Sequence, residues 1–587
     1  MASNMEDSMI PEMEMEIIRK DLLRKSVKGE WAGVIDIYEK HPHAHKAKLT
    51  RNEDTALHMA VSNDKQETVK QLMNIISSHH EEGKEAPEIK NRQGNTPLHV
   101  AASMGSEIMC ESIAGTCQLG SSFIAARNCK GETPLFLAVL CGKKDAFLYL
   151  HNLCQKYKLN GYDFSWRSDD DDTILHAAIT VERFDLAFQI IHLYPKLVDS
   201  INKQGFSPLH LLADKPSAFE SATIFALIAD YIIYRVTIRS KQKRGHTNLE
   251  NPEIQNVPHE RGHQVSIARE TPILIAAKNG ITKMVEKILE NFPEAVYDLD
   301  PSMKNIVLLS VEHKQCDVYE LLLNKKKKKV IPDSVFWEVD KEGNTALHLA
   351  AKVANSNTWP VPGAAFQMNW EIKWFEHVQR SMPEWYPFLC NKAGETPREV
   401  FTKSHEGLVK QGQKWLTSIS EQACPIATGL FVAVAFSTSS NDGFNFKDPK
   451  LQGVVRPSAF SYSLLVPAAS FFFSVVAVFC FLLMICSSYS ESSFRTGNRL
   501  MVFLLGLAAF YLSLLSTLES FSLGHFLTAI KELDTSNYLP RYMTLAVGYY
   551  TLVLIIPMPF YLHMAWAFFR GPHTMKLVIP GFFPTKN

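Results

Sequence analysis

The sequence predicts an all-α chain: a solenoid of stacked helix pairs, followed by a transmembrane bundle of about four helices. Three observations carry that expectation. A segment of the form "GNTPLHVAASMG" (94–105) recurs along the first two thirds of the 587 residues. Apolar residues at helical spacing follow each copy. After about Gln422 the mixed, charged composition gives way to long uncharged stretches.

The repeat comes first. Its copies are marked by Thr55, Thr96, Thr133, Thr173, Ser207, Thr271, Thr345 and a degenerate Thr396. A worn copy, "NIVLLSVEHKQCDVYELLL", starts at Asn305, and a partial one, "GEWAGVIDIYEKHP", precedes the first marker. The marker hydroxyl sits where a helix N-cap belongs, and in several copies Pro follows at the first helical position, as in Thr96-Pro97. A short Ala-rich helix comes next, then a turn such as Asn279-Gly280, then a second helix. In "ITKMVEKILENFPEAV" Ile281, Met284, Val285, Ile288 and Leu289 share one face. One pair cannot bury that face alone, so neighbours must stack on it.

The copies resemble the ankyrin-repeat family, whose T-P-L-H-x-A signature stands here as Thr96-Pro97-Leu98-His99-Val100-Ala101. The resemblance implies an ankyrin-repeat solenoid acting as a protein-binding scaffold. His58, His99, His176, His210 and His348 share one slot. Successive repeats cannot gather them round one ion, so we read them as hydrogen-bonding ties between repeats.

Three apolar stretches are long enough to span a bilayer: 460–486, 500–518 and 542–569. A fourth, 424–440, is short. With four spans, eight Lys and Arg fall on the cytosolic side and five on the other; with three the count ties at five each. The positive-inside rule therefore prefers four, with both termini cytosolic.

Repeats followed by this module resemble the plant ankyrin-repeat membrane proteins with a PGG domain, of the accelerated-cell-death and salt-tolerance type. "IATGLFVAVAFST" from Ile426 and "SSYSESSF" (487–494) carry the likeness. The Pro-Gly-Gly that names the domain is replaced by "STSSNDG" (437–443). The resemblance implies stress or defence signalling in a plant, and it brings no catalytic residues.

The expected layout is 1–18 disordered; 19–415 the repeat array, with a flexible insertion near 236–266; 423–570 the PGG-type transmembrane domain; and 571–587 a cytosolic tail. The start lacks a signal-peptide core, so the array is expected in the cytosol and the chain in a membrane, the plasma membrane by preference. The ten Cys form no zinc spacing and fit a reducing compartment.

Other motifs are weighed against plainer readings. "PHERGH" (258–263) holds His259, Glu260 and His263 at the spacing of a zinc protease, but in a polar, unpatterned context. "KKKKK" (325–329) reads as a solvated helix C-terminus, with anionic lipid as the alternative, and 234–246 as an exposed basic loop. Zero formal net charge argues against nucleic acid. Glu519 is placed at a headgroup boundary. Pro467, Pro557 and Pro559 are expected to kink their helices, and Cys424 lies at a membrane edge. Gly506, Ala508 and Ala509 would let helices approach closely, including in a homo-oligomer.

No catalytic, cofactor-binding or metal residue is assigned, no cofactor is expected, and the chain is read as a non-enzyme. Expected partners are cytosolic or membrane proteins on the ankyrin surface, and the lipid bilayer. The rival reading is a cation channel or transport component regulated by the array.

Overall fold

The computed structural model describes residues 3–78, 85–116, 122–216, 227–235, 270–354, 363–439 and 457–532. Among them no β-strand forms; one isolated antiparallel bridge joins Trp166 and Thr173. The chain folds as two compact units, divided between Asp300 and Pro301.

The first unit opens with α1 (Ser3–Lys28) and α2 (Trp31–Lys40). Where residues 1–18 are expected to be disordered, α1 is helical from Ser3. The Glu and Met of this stretch are good helix formers, and Leu22 further along is fully buried. Four helix pairs follow: α3 (Ala56–Ser62) with α4 (Gln66–Ser78), α5 (Pro97–Met104) with α6 (Glu107–Thr116), α7 (Pro134–Leu140) with α8 (Lys144–Lys156), and α9 (Ile174–Thr180) with α10 (Phe184–Leu193). After α11 (Pro208–Ala213), the pair α12 (Pro272–Lys278) and α13 (Thr282–Asn291) ends the unit. The insertion near 236–266, with His259, Glu260 and His263, lies outside the described residues.

Each marker caps its helix. Thr55, Thr96, Thr133, Thr173, Ser207 and Thr271 are all N-caps in extended backbone, with Pro at the first position in four of the six. Small residues on the first helices, Ala60, Ala101, Ala138 and Ala178, have no exposed surface. They let one layer sit close on the next, and one apolar core runs from Leu22 to Ile232.

The second unit continues the pattern with α14 (Ile306–Glu312) and α15 (Cys316–Lys327), the worn copy, then α16 (Ala346–Ala350) and α17 (Ala364–Arg380). Next come α18 (Pro397–Ser439), α19 (Pro457–Cys486), α20 (Glu491–Arg495) and α21 (Asn498–Glu532). Two helices are long and apolar enough to cross a membrane, Leu465–Cys486 and Asn498–Ser520. Of the other two expected spans, 542–569 lies outside the described residues. The 424–440 stretch, as far as it is described, is helical and forms the end of α18.

Candidate functional site: ties between repeats and the junction with the apolar helices

The repeated histidines stitch the layers. In His99, Nδ1 accepts from the backbone N–H of its own cap Thr96 at 3.2 Å. A backbone N–H can only donate, so the ring proton sits on Nε2, which donates to the Glu132 carbonyl of the next layer at 3.1 Å. His58, His176 and His348 repeat this with the carbonyls of Asn95, Phe206 and Glu395. His210 keeps the bond to its own cap, Ser207. Burial pushes all five rings down in pKa, His99 and His210 to about 4.

Copies lacking the histidine keep the tie by other means. Beside Phe136, the Thr133 hydroxyl donates to the Phe164 carbonyl at 2.7 Å. Beside Leu308, the Asn305 amide donates to the Val335 carbonyl at 2.8 Å. This slot is architecture, as the sequence suggests.

The loop tips form a second ladder. Arg92 N–H donates to Asn52 O, Cys129 to Gln93, and Lys203 to Asp170; in the second unit Lys341 donates to Ser302 and Lys392 to Glu342. Glycine is required at one such tip. Gly94 has φ of 77°, and a Cβ there would lie 2.5 Å from the Cys129 nitrogen.

The degenerate last copy behaves differently. Thr396 still caps, now with Glu399 replacing the histidine: the Thr396 N–H and hydroxyl both donate to the Glu399 carboxylate, at 2.7 and 2.9 Å. The helix it starts does not turn after two turns. It runs 43 residues, through Pro425, into the apolar segment. At 1.5 Å per residue that is about 64 Å of one continuous rod. Gly412 within it would, as alanine, press on Ala365 and Phe494, so α17 and α20 both lie close to it.

The turn between the two apolar helices is clasped by the last repeat. Arg398 pairs with Glu491 at 2.6 Å, and the Thr402 hydroxyl donates to the same carboxylate at 2.8 Å. Arg495 donates to Glu376 at 2.9 Å, and the Asn369 amide to the Phe494 carbonyl at 3.1 Å. Phe494 itself is buried.

Below this clasp, Ala427, Ala477, Phe481 and Ala509 form a small core joining α18, α19 and α21. A Cβ on Gly506 would lie 2.8 Å from the Cys480 Cβ. The small-residue contact foreseen for association is therefore used inside the chain. Ser470 and Thr517 share a hydrogen bond of 2.6 Å across the same seam.

Behind the clasp lies a charged cluster that sequence reasoning missed. Lys314, Glu371 and His405 come from the α14–α15 turn, α17 and α18. Lys314 Nζ is 3.0 Å from Glu371 Oε2 and donates to the Ala350 carbonyl at 2.7 Å. Glu371 Oε1 accepts from the Ala354 N–H at 2.8 Å. His405 Nε2 stands 3.6 Å from Glu371 Oε2, an electrostatic distance rather than a hydrogen bond. The imidazole stacks on Phe401 with ring centres 3.9 Å apart.

The Glu371 side chain is fully buried. Burial alone would raise its pKa, but the Lys314 charge, the adjacent His405 ring and the bond from the Ala354 N–H hold it below the usual carboxylate value. Burial lowers Lys314, and Glu371 opposes that. The signal available in sequence was a lone acid among Trp370, Ile372 and Trp374. An enclosed cluster of this kind has no access for a substrate and fixes three elements to each other.

Other singled-out residues fall as follows. Lys325–Lys327 end α15, and Lys326 lies over the Phe336 ring at 4.6 Å and 3.4 Å from Asp333. Pro467 lies inside α19, and Cys424 is half-buried in α18. Glu519 lies at the end of the apolar window of α21. Pro557, Pro559 and most of 234–246 lie outside the described residues.

The family-model comparison agrees with the geometry of the repeats. Residues 33–120 match the ankyrin-repeat family model in three copies. Among solved structures the chain is similar to the ankyrin-repeat domain of Bcl-3, a member of the IkappaB protein family, at 15% identity. The match covers 36% of this chain and 85% of that one, with a TM-score of 0.29. No curated protein sequence matches. The chain carries ankyrin repeats, a fold that ordinarily serves non-enzymatic protein–protein interaction, together with two helices of membrane-spanning length.

Proposed function

We propose that the protein is a membrane-anchored ankyrin scaffold. The repeat surface binds a protein partner, and the apolar helices hold it at a bilayer with the array in the cytosol. One observation supports this above the rest: α18 begins as the first helix of the last repeat and ends inside the apolar bundle. A continuous helix of that kind links the array directly to the membrane.

The clasped turn at 487–497 lies on the array side of α19 and α21, so both helices cross and return. Arg495 and Arg499 then sit on the cytosolic face, as the positive-inside rule prefers. The likeness to plant PGG-type proteins makes stress or defence signalling the setting, at the plasma membrane. Residues 1–422 expressed alone are expected to be soluble and to capture the partner that the full chain captures. Loss of all capture by that fragment would count against the scaffold.

A further inference from the structure

We propose that the edge formed by Val330, Trp337, Val339, Trp385 and Phe388 binds an acidic peptide segment carrying large apolar side chains. The inference rests on the scaffold reading and names where and what that scaffold holds.

These side chains are unusual for a water-facing edge. Phe388 is 79% exposed, Val330 56%, Trp385 54%, Val339 45% and Trp337 44%. Trp385 and Phe388 flank Tyr386, and Trp337 and Val339 follow Phe336. Tyr386 OH donates to the Phe336 carbonyl at 3.1 Å, which joins the two segments that carry them. Lys392 N–H donates to the Glu342 carbonyl, joining the tips of the two loops. Trp337 and Phe388 occupy the same slot, eight residues before the markers Thr345 and Thr396. In the first five copies that slot holds Ala47, Glu88, Ala125, Ser165 and Asp199. In the worn copy the slot holds Tyr297, 53% exposed, so among the described residues exposed aromatics fill it from that copy onward.

Charge selects the partner. Lys327, Lys328, Lys329, Lys341 and Lys392 are exposed along this edge. Of the carboxylates there, Asp333 pairs with Lys326 and Glu338 accepts from the Asn305 amide, while Glu342 and Glu384 are exposed. The balance is cationic. Aromatic anchors ringed by cations fit a segment with Asp or Glu beside Trp, Phe or Leu.

Distance argues against the chain's own bilayer as occupant. Trp415 meets Phe503 of α21 with ring centres 5.5 Å apart, so the apolar helices begin level with Trp415. Pro397, where α18 leaves the aromatic edge, is 18 residues earlier, or about 27 Å along the helix.

The test uses the full-length protein in lipid nanodiscs, panned against a phage-displayed library of random peptides. Selected sequences are expected to combine Asp or Glu with Trp, Phe or Leu. A selected peptide, synthesised and titrated, should bind at least tenfold more weakly to W337S/F388S and to K327E/K328E/K329E, with unchanged melting of both variants. No such enrichment, or equal binding to both variants, overturns the proposal. So does loss in the variants of binding to added phosphatidylserine vesicles only, which would assign the edge to lipid. If the 1–422 fragment still captures a partner equally well with W337S/F388S, the scaffold stands and this inference alone falls.

Discussion

Consider the replacement of His99 by glutamine. In the native protein this ring is buried, accepts from the Thr96 N–H and donates to the Glu132 carbonyl. A proton added to Nδ1 would meet that N–H head-on and place a charge in the core. Burial accordingly pushes its pKa down from 6.5 to about 4. A histidine depressed in the folded state contributes fully above 6.5, and the contribution is lost as pH falls from 6.5 towards 4. Linkage between those two values gives a loss of about 2 kcal/mol by pH 5.

Glutamine cannot titrate. At pH 7 the variant should be less stable by about 1–3 kcal/mol, for the disturbed hydrogen bonds. At pH 5 the gap between variant and parent should shrink by about 2 kcal/mol. Urea unfolding of both proteins at the two pH values, followed by tryptophan fluorescence, reads this directly. A gap unchanged between pH 7 and pH 5 would refute the tautomer and tie described here.

Three further outcomes follow from the junction. Glu371→Ala strands the Lys314 charge in the core and should cost about 3–5 kcal/mol in urea unfolding; because the Glu371 pKa is depressed, the parent's advantage should fade as pH drops below about 4.5. Arg398→Glu should loosen the 487–497 turn, seen as faster proteolysis there, and adding Glu491→Arg should restore it; the half-exposed pair is worth about 0.5–1 kcal/mol. Gly506→Val should separate α19 from α21 at a cost of about 1–3 kcal/mol, measured as a lower melting temperature in detergent.

Much of the array was legible because its signal is local and repeated. A hydroxyl before Pro-Leu-His marks a cap wherever it occurs, and the structure places a helix start at every such marker. The worn copy was legible too, since Asn305 caps as Thr does. The junction was not. Whether α18 turns or continues depends on α17 and α20 packing beside Gly412, which no local pattern encodes. Lys314, Glu371 and His405 are up to 91 residues apart in sequence, and only the stacking of layers unites them. The role of Gly506 was half legible: its smallness was plain, but its partner, Cys480 of the same chain, was not.

The central claim is that the repeats are held to a bilayer through α18. Alkaline carbonate extraction of membranes from cells expressing the full-length chain tests it most directly. The account predicts that the protein stays in the membrane pellet with integral proteins. Release of the intact chain into the supernatant would contradict it.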